Sequence, residues 1–221
     1  MGQFVNAEWA EQNKKMQKLL KKSTFSEGIC ELLSLREKLH NEMLNWHDFL
    51  SRDDYNKMPF VNAEGYRSKT VAYSIWHIVR IEDIVLNSLI RQSKEVLFDD
   101  DFASRINTPI ITTGNELAKS QITDFSEKLD IDVLYEYAEK VYMTTNEWLR
   151  SVKPEELSRC FDETDKESLK ALNVVSEDEN AIWLIDYWCN KDILGLIKMP
   201  LSRHWIMHIE AANRIIDKIK R

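Results

Sequence analysis

Two histidines near the end of the chain, His204 and His208, stand four residues apart in the segment RHWIMH. On a helix this spacing stacks two imidazoles on one face, one turn apart. Two such nitrogens can bind one metal ion, and a catalytic zinc takes three protein ligands and keeps a fourth position for water or substrate. His77 is the candidate third ligand, mid-helix in SIWHIVRIED beside the apolar pair Ile75 and Ile78. Spacing alone leaves a second reading open, that these are hydrogen-bonded core histidines, because so short a motif has low specificity. No Glu follows His204 directly, so this is not the H-E-x-x-H arrangement with a general base between its ligands.

Other residues around the three histidines carry two readings each. Arg80 could hold an anionic substrate or pair with Glu82 or Asp83, and the salt bridge is the stronger expectation. Asp83 and Glu210 read equally as surface groups or as partners that orient a ligand imidazole. Trp76, Trp183, Trp188 and Trp205 could line a pocket, although bundle core is the better assignment. His40 and His47, seven apart on one helix, read as ordinary partly exposed histidines, with His47 near the site as the alternative. No G-x-S-x-G elbow, P-loop or Gly-rich dinucleotide turn competes with the histidines.

The elements that must position these residues are helical. Only 5 Gly and 4 Pro punctuate 221 residues, which favours long helices over many short strands. Residues 8–22 predict a short amphipathic helix across the outside of the domain, its basic run at 13–22 a solvated face. Residues 26–51 predict the first long helix, from the row Cys30, Leu33, Glu37, His40, Leu44, His47, Leu50, with Thr24 and Glu27 at capping-box spacing. The second, 68–92, carries Val71, Ile75, Ile78, Val85 and Leu89, with Glu82 the exception in the stripe. A looser stretch follows at 93–115, then a third long helix at 130–151 capped by Asp130 or Asp132. Pro154 opens a turn, 160–178 reads as a charged connection, and 178–196 as an aromatic-rich helix with Gly195 near its end. Pro200 stands near the start of a last helix at about 200–220. The expected fold is all-α, a four-helix bundle with extra short helices, in a single domain spanning 1–221: a peripheral N-terminal helix over 1–24 and the bundle over 26–220.

Hydrophobic residues at 43% and charged residues at 30% fit a globular chain rather than a disordered one. A net charge of −7 argues against binding nucleic acid or an anionic membrane, both of which need a basic surface. No apolar run reaches the length of a membrane span. The segment MGQFVNAEWAEQNKKMQKLLKK has no secretory core, and Asn6 stands where a myristoylation signal needs Ser or Thr. The expected location is cytoplasmic. Cys30, Cys160 and Cys189 are odd in number and irregularly spaced, so they read as small buried residues rather than a disulfide framework.

Two blocks carry a resemblance to a known family. KTVAYSIWHIVRIED, residues 69–83, resembles the second-helix signature of the DinB/YfiT-like superfamily, a run of the type I-x-W-x-x-W-H-I-x-R-x-E-D. Val71 and Tyr73 stand where that pattern has its first Ile and first Trp. MPLSRHWIMHIEAANRI, residues 199–215, resembles the H-x-x-x-H of that superfamily's last helix. The resemblance runs from about residue 26 to 220, but only these two blocks are specific; the N-terminal helix and 93–129 lie outside it. It implies a four-helix bundle whose triad, here His77, His204 and His208, binds a divalent metal, zinc or nickel foremost. It also implies a thiol S-transferase using a small thiol cosubstrate, and a chain able to form a homodimer. The alternative reading is a non-enzymatic, metal-stabilised or dimerising bundle linked to stress. The superfamily's name suggests DNA damage, but the acidic charge argues against DNA binding.

Overall fold

The computed structural model describes residues 6–61 and 68–221, so the first five residues of the 1–24 segment lie outside it. Among the described residues every regular element is helical. Helix α1 (Ala7–Leu19) starts at Asn6, whose side chain accepts from the Glu8 and Trp9 amides. It buries Trp9 and Met16 against α2 (Phe25–Phe49) and leaves Lys14, Lys15 and Lys18 in solvent, as the basic run predicts. Helix α3 (Val71–Asp83) is capped by the Thr70 hydroxyl, which accepts from the Tyr73 amide at 3.1 Å, and continues as a π-helical stretch, Ile84–Ile90. After the short α4 (Phe102–Arg105) and α5 (Ser120–Lys128) comes α6 (Ile131–Ser151), capped by Asp130 on the Val133 amide. Then follow α7 (Glu163–Ala171), α8 (Trp183–Cys189), α9 (Ile193–Lys198), a π-helical turn Met199–Arg203, and α10 (His204–Ile219).

The four long elements form a ring in which α2 contacts α6, α6 contacts α3, α3 contacts α10, and α10 returns to α2. The chain is therefore a helical bundle, as expected. Its centre is α3, where every residue from Val71 to Asp83 is buried. None of the helices among the described residues is long and apolar enough to cross a membrane.

Several local expectations are corrected. The buried stripe of α2 is Leu32, Leu35, Leu39, Met43 and Trp46, with Arg36 and His40 among them; Cys30, Glu37 and His47 face solvent. Arg36, charged yet on the buried face, breaks the apolar pattern, so the row through Cys30, Glu37 and His47 is offset from the buried one. Thr24 forms no capping box, because its hydroxyl donates to the Leu19 carbonyl. The charged connection contains α7, which starts with a capping box between Asp162 and Asp165 but buries only Leu169, too little apolar surface to show as periodicity. The helix expected over 178–196 is broken into α8 and α9, and Gly195 lies inside α9 with its amide capped by Asp192. Between the looser stretch at 93–115 and the third long helix lies α5, which buries Ile122 and Phe125. Cys189 is buried, but Cys30 and Cys160 are exposed. Trp76, Trp188 and Trp205 are core residues, whereas Trp183 is 48% exposed.

Candidate metal centre

Helices α3 and α10 bring the three predicted histidines together. His77, His204 and His208 are buried, and their candidate ligand atoms all lie within 4.8 Å of one another, so the cluster could hold a metal ion. The ring centroids of the three pairs are 4.3–5.1 Å apart. His77 Nε2 and His204 Nε2 approach to 3.3 Å. Two nitrogens bound tetrahedrally at about 2.0–2.1 Å would be roughly 3.3–3.4 Å apart, so this edge already has the length a zinc site needs.

The protonation states suit ligands. Burial lowers the His77 imidazole to about 4, with Lys69 adding to the effect and the hydrogen bond to Thr113 opposing it. His204 is pushed well below its ordinary value by burial and by His77, and His208 by burial, His204, His77 and Lys69. All three are therefore neutral near pH 7, the form that binds a metal. The Thr113 carbonyl can only accept, so the 2.9 Å contact to His77 Nδ1 places the ring proton there and leaves the Nε2 lone pair facing His204. His204 Nδ1 is buried without a hydrogen-bond partner. The short edge between the two Nε2 atoms, not the orphaned Nδ1, is the feature that fits a cation, whose charge two facing lone pairs would share.

The Thr113 carbonyl belongs to a larger device that has no signature in residue types. Four consecutive carbonyls of one loop each accept from a side chain of α3. Arg80 Nε donates to Ile111 at 2.7 Å, Trp76 Nε1 to Thr112 at 3.1 Å, His77 Nδ1 to Thr113 at 2.9 Å, and the Tyr73 hydroxyl to Gly114 at 3.0 Å. The loop is thereby laced along the helix that carries His77. Gly114 closes it with a φ of +77°, and a Cβ there would stand 3.0 Å from Tyr73 Cε2, so the position needs glycine twice over.

Arg80, Asp83 and Glu210 have other employment. Arg80 is fully buried and pairs with Asp83 at 3.5 Å and with Glu95, not with Glu82. Asp83 accepts from the Val96 and Leu97 amides, Asn87 and the Tyr137 hydroxyl. Glu210 accepts from the Asn6 amide and so ties α10 to the start of α1. Glu82 instead receives Arg36 in a bidentate pair at 2.6 and 2.8 Å and the Trp205 indole at 2.6 Å. Arg36 also reaches Asn146 and the Leu201 carbonyl in the π-helical turn just before His204. His47 is exposed and paired with Asp132, while His40 is buried and stacked on Tyr142 rather than partly exposed as expected.

A cavity of about 510 Å³ opens over the triad, lined by Tyr73, Ile122, Trp188 and Met199 together with His77, His204 and His208. This lies within the usual size of small-molecule sites.

No family model matches the chain, and no curated protein matches it. A solved structure, the crystal structure of a conserved protein from Enterococcus faecalis, superposes with a TM-score of 0.62. The match covers 86% of this chain and 96% of that one at 13% identity, a likeness of fold.

Proposed function

We propose that His77, His204 and His208 hold a divalent cation, zinc or nickel, and that the chain is a DinB/YfiT-like metal-dependent S-transferase acting on a small thiol. The observation that carries this reading is the meeting of three neutral, buried imidazoles from two helices beneath a ligand-sized cavity. A cation there would supply Lewis acidity, lowering the pKa of a thiol or water in its open position. The residues of the chain do the rest. The Thr113 carbonyl fixes the His77 tautomer, burial keeps the triad unprotonated, and the cavity gives a small ligand access to it. In the transfer, the thiol sulfur bonds to an electrophilic carbon as the leaving group departs with its electron pair, and the thiol proton passes to solvent.

The triad also bridges α3 and α10, which favours a second reading in which the cation is a structural staple. Elemental analysis of protein purified without a histidine tag, with His204→Ala alongside, tests the metal. Near-stoichiometric zinc or nickel, lost in the variant, is expected; no metal after incubation with zinc, nickel and manganese would refute it. A screen of small thiols against chlorodinitrobenzene then separates the readings, since a flat response with every thiol leaves the staple.

A further inference from the structure

The cavity over the triad differs in charge from the rest of the chain. The protein carries 37 Asp and Glu against 30 Lys and Arg. Yet the described residues lining the cavity include Lys69, Lys119 and the three histidines and no carboxylate. Lys69 is the deeper of the two lysines. Its ammonium lies 4.5 Å from the centroid of the Tyr73 ring, which is also stacked on His77 at 5.5 Å. Among the described residues neither lysine has a carboxylate within ion-pair distance. A contact with an aromatic face returns only part of the hydration a cation loses on burial. Burial accordingly lowers Lys69 to about 8, which still leaves it mostly charged at neutral pH. A cation in the triad would add to the same positive field.

The mouth supplies the complementary apolar surface. Trp183 is 48% exposed, its indole N–H donates to the Asn180 carbonyl at 2.9 Å, and it meets Tyr187 edge-on at 5.6 Å. An exposed ring held by its own N–H is a fixed apolar plate at the entrance.

We propose that the cavity takes a small organic carboxylate with an aromatic or similarly apolar body, its carboxylate on Lys69 and its body against Trp183 and Tyr187. This deepens the reading of the same site, naming the class of ligand that would lie over the metal. Lys119, at the rim, steers the anion without fixing it.

The test compares naphthaleneacetate with its neutral isostere naphthaleneacetamide, titrated calorimetrically and by tryptophan fluorescence. Wild type, Lys69→Met, Lys69→Arg and Trp183→Ala are each measured metal-free and zinc-loaded. The acid should bind about tenfold more tightly than the amide in both states, the scale of one charge-assisted contact. Lys69→Met should remove that preference, Lys69→Arg should keep it, and Trp183→Ala should weaken both ligands alike. Equal binding of the two in wild type, binding of neither at millimolar concentration, or a preference that survives Lys69→Met overturns the proposal. A preference present only with zinc and indifferent to Lys69→Met assigns the carboxylate to the metal; it overturns the Lys69 site and leaves the triad standing. A preference intact in protein that takes up no metal upholds the anion site and sinks the metal reading instead.

Discussion

Replacing Glu82 by Gln should be among the most damaging single-atom changes available in this chain. Both side chains of the Arg36–Glu82 pair are fully buried. Arg36 spends four N–H contacts: two on Glu82, one on Asn146 and one on the Leu201 carbonyl. Glu82→Gln preserves shape and can still accept from Trp205, but it leaves the guanidinium charge buried without its counter-charge. Breaking a buried pair in this way costs about 3–5 kcal/mol. At about 2–4 °C per kcal/mol for a chain of this size, the melting midpoint should fall by about 6–20 °C. The control is Glu136→Gln, which breaks the half-exposed Arg105–Glu136 pair and should cost less than about 1 kcal/mol. Urea unfolding of the metal-free variants reads both numbers. Because Leu201 and Trp205 flank His204, Glu82→Gln should also weaken zinc binding, by about 10–100-fold if the pair acts as an outer support of the ligands. An unfolding free energy for Glu82→Gln within 1 kcal/mol or so of wild type, or no larger an effect than Glu136→Gln, would refute the reasoning.

Gly114→Ala should strain a backbone with φ +77° and press on Tyr73, costing about 1–3 kcal/mol and lowering zinc affinity through the displaced Thr113 carbonyl. Competition against a fluorescent chelator measures the second effect, and unchanged affinity would dissociate the loop from the site. Zinc at about a hundred times its Kd should stabilise the fold by about 2.7 kcal/mol, a midpoint rise of about 5–11 °C that His208→Ala abolishes; an equal rise in the variant would place the ion elsewhere. His40 is lowered to about 4 by burial and then by the Arg36 guanidinium, and the half-exposed Glu139 carboxylate at 3.2 Å is too solvent-screened to reverse this. Its folded pKa lies below the unfolded value near 6.5, so its contribution to stability is intact above pH 6.5 and is lost as pH falls towards 4. His40→Phe should flatten the slope of unfolding free energy against pH in that window by up to one proton's worth. Identical slopes in urea titrations would show that His40 does not titrate as described.

The parts of this molecule that were legible in the sequence are those written in side-chain periodicity. The apolar row Val71, Ile75, Ile78 declared α3, the four-residue spacing of His204 and His208 declared a shared face, and the pair Asp130 and Asp132 declared the start of α6, where Asp130 is the cap. What periodicity misplaced were elements whose buried faces carry polar groups. On α2, Arg36 belongs to the buried stripe, and an apolar template rejects it. Helices α5 and α7 bury so few residues that no repeat can accumulate. Glu82 looked like a defect in an apolar row because its partner, 46 positions earlier, is invisible to any local window. The carbonyl of Thr113 is the extreme case. It orients a proposed ligand, yet any residue would supply the same oxygen, and only Gly114 beside it hints that the backbone there does something particular.

The same pair explains how a bundle can hold three imidazoles from two helices in fixed relation. Apolar packing alone tolerates small rotations of one helix against another, because many arrangements of Leu and Ile bury similar area. A buried charge pair does not, since any rotation that lengthens its contacts exposes an uncompensated charge to an apolar interior. Glu82 lies five residues beyond His77 on α3 and takes the indole of Trp205, the residue next to His204 on α10. Arg36 meanwhile holds the Leu201 carbonyl of the π-helical turn that leads into His204. Helices α2, α3, α6 and α10 are thus locked through one charge centre, and the triad lies along the same two helices that this centre clamps most directly. A helix carrying one ligand cannot turn away from the helix carrying the other two without breaking the clamp. The buried pair is therefore read better as the device that sets the geometry of the histidines than as a source of stability in its own right.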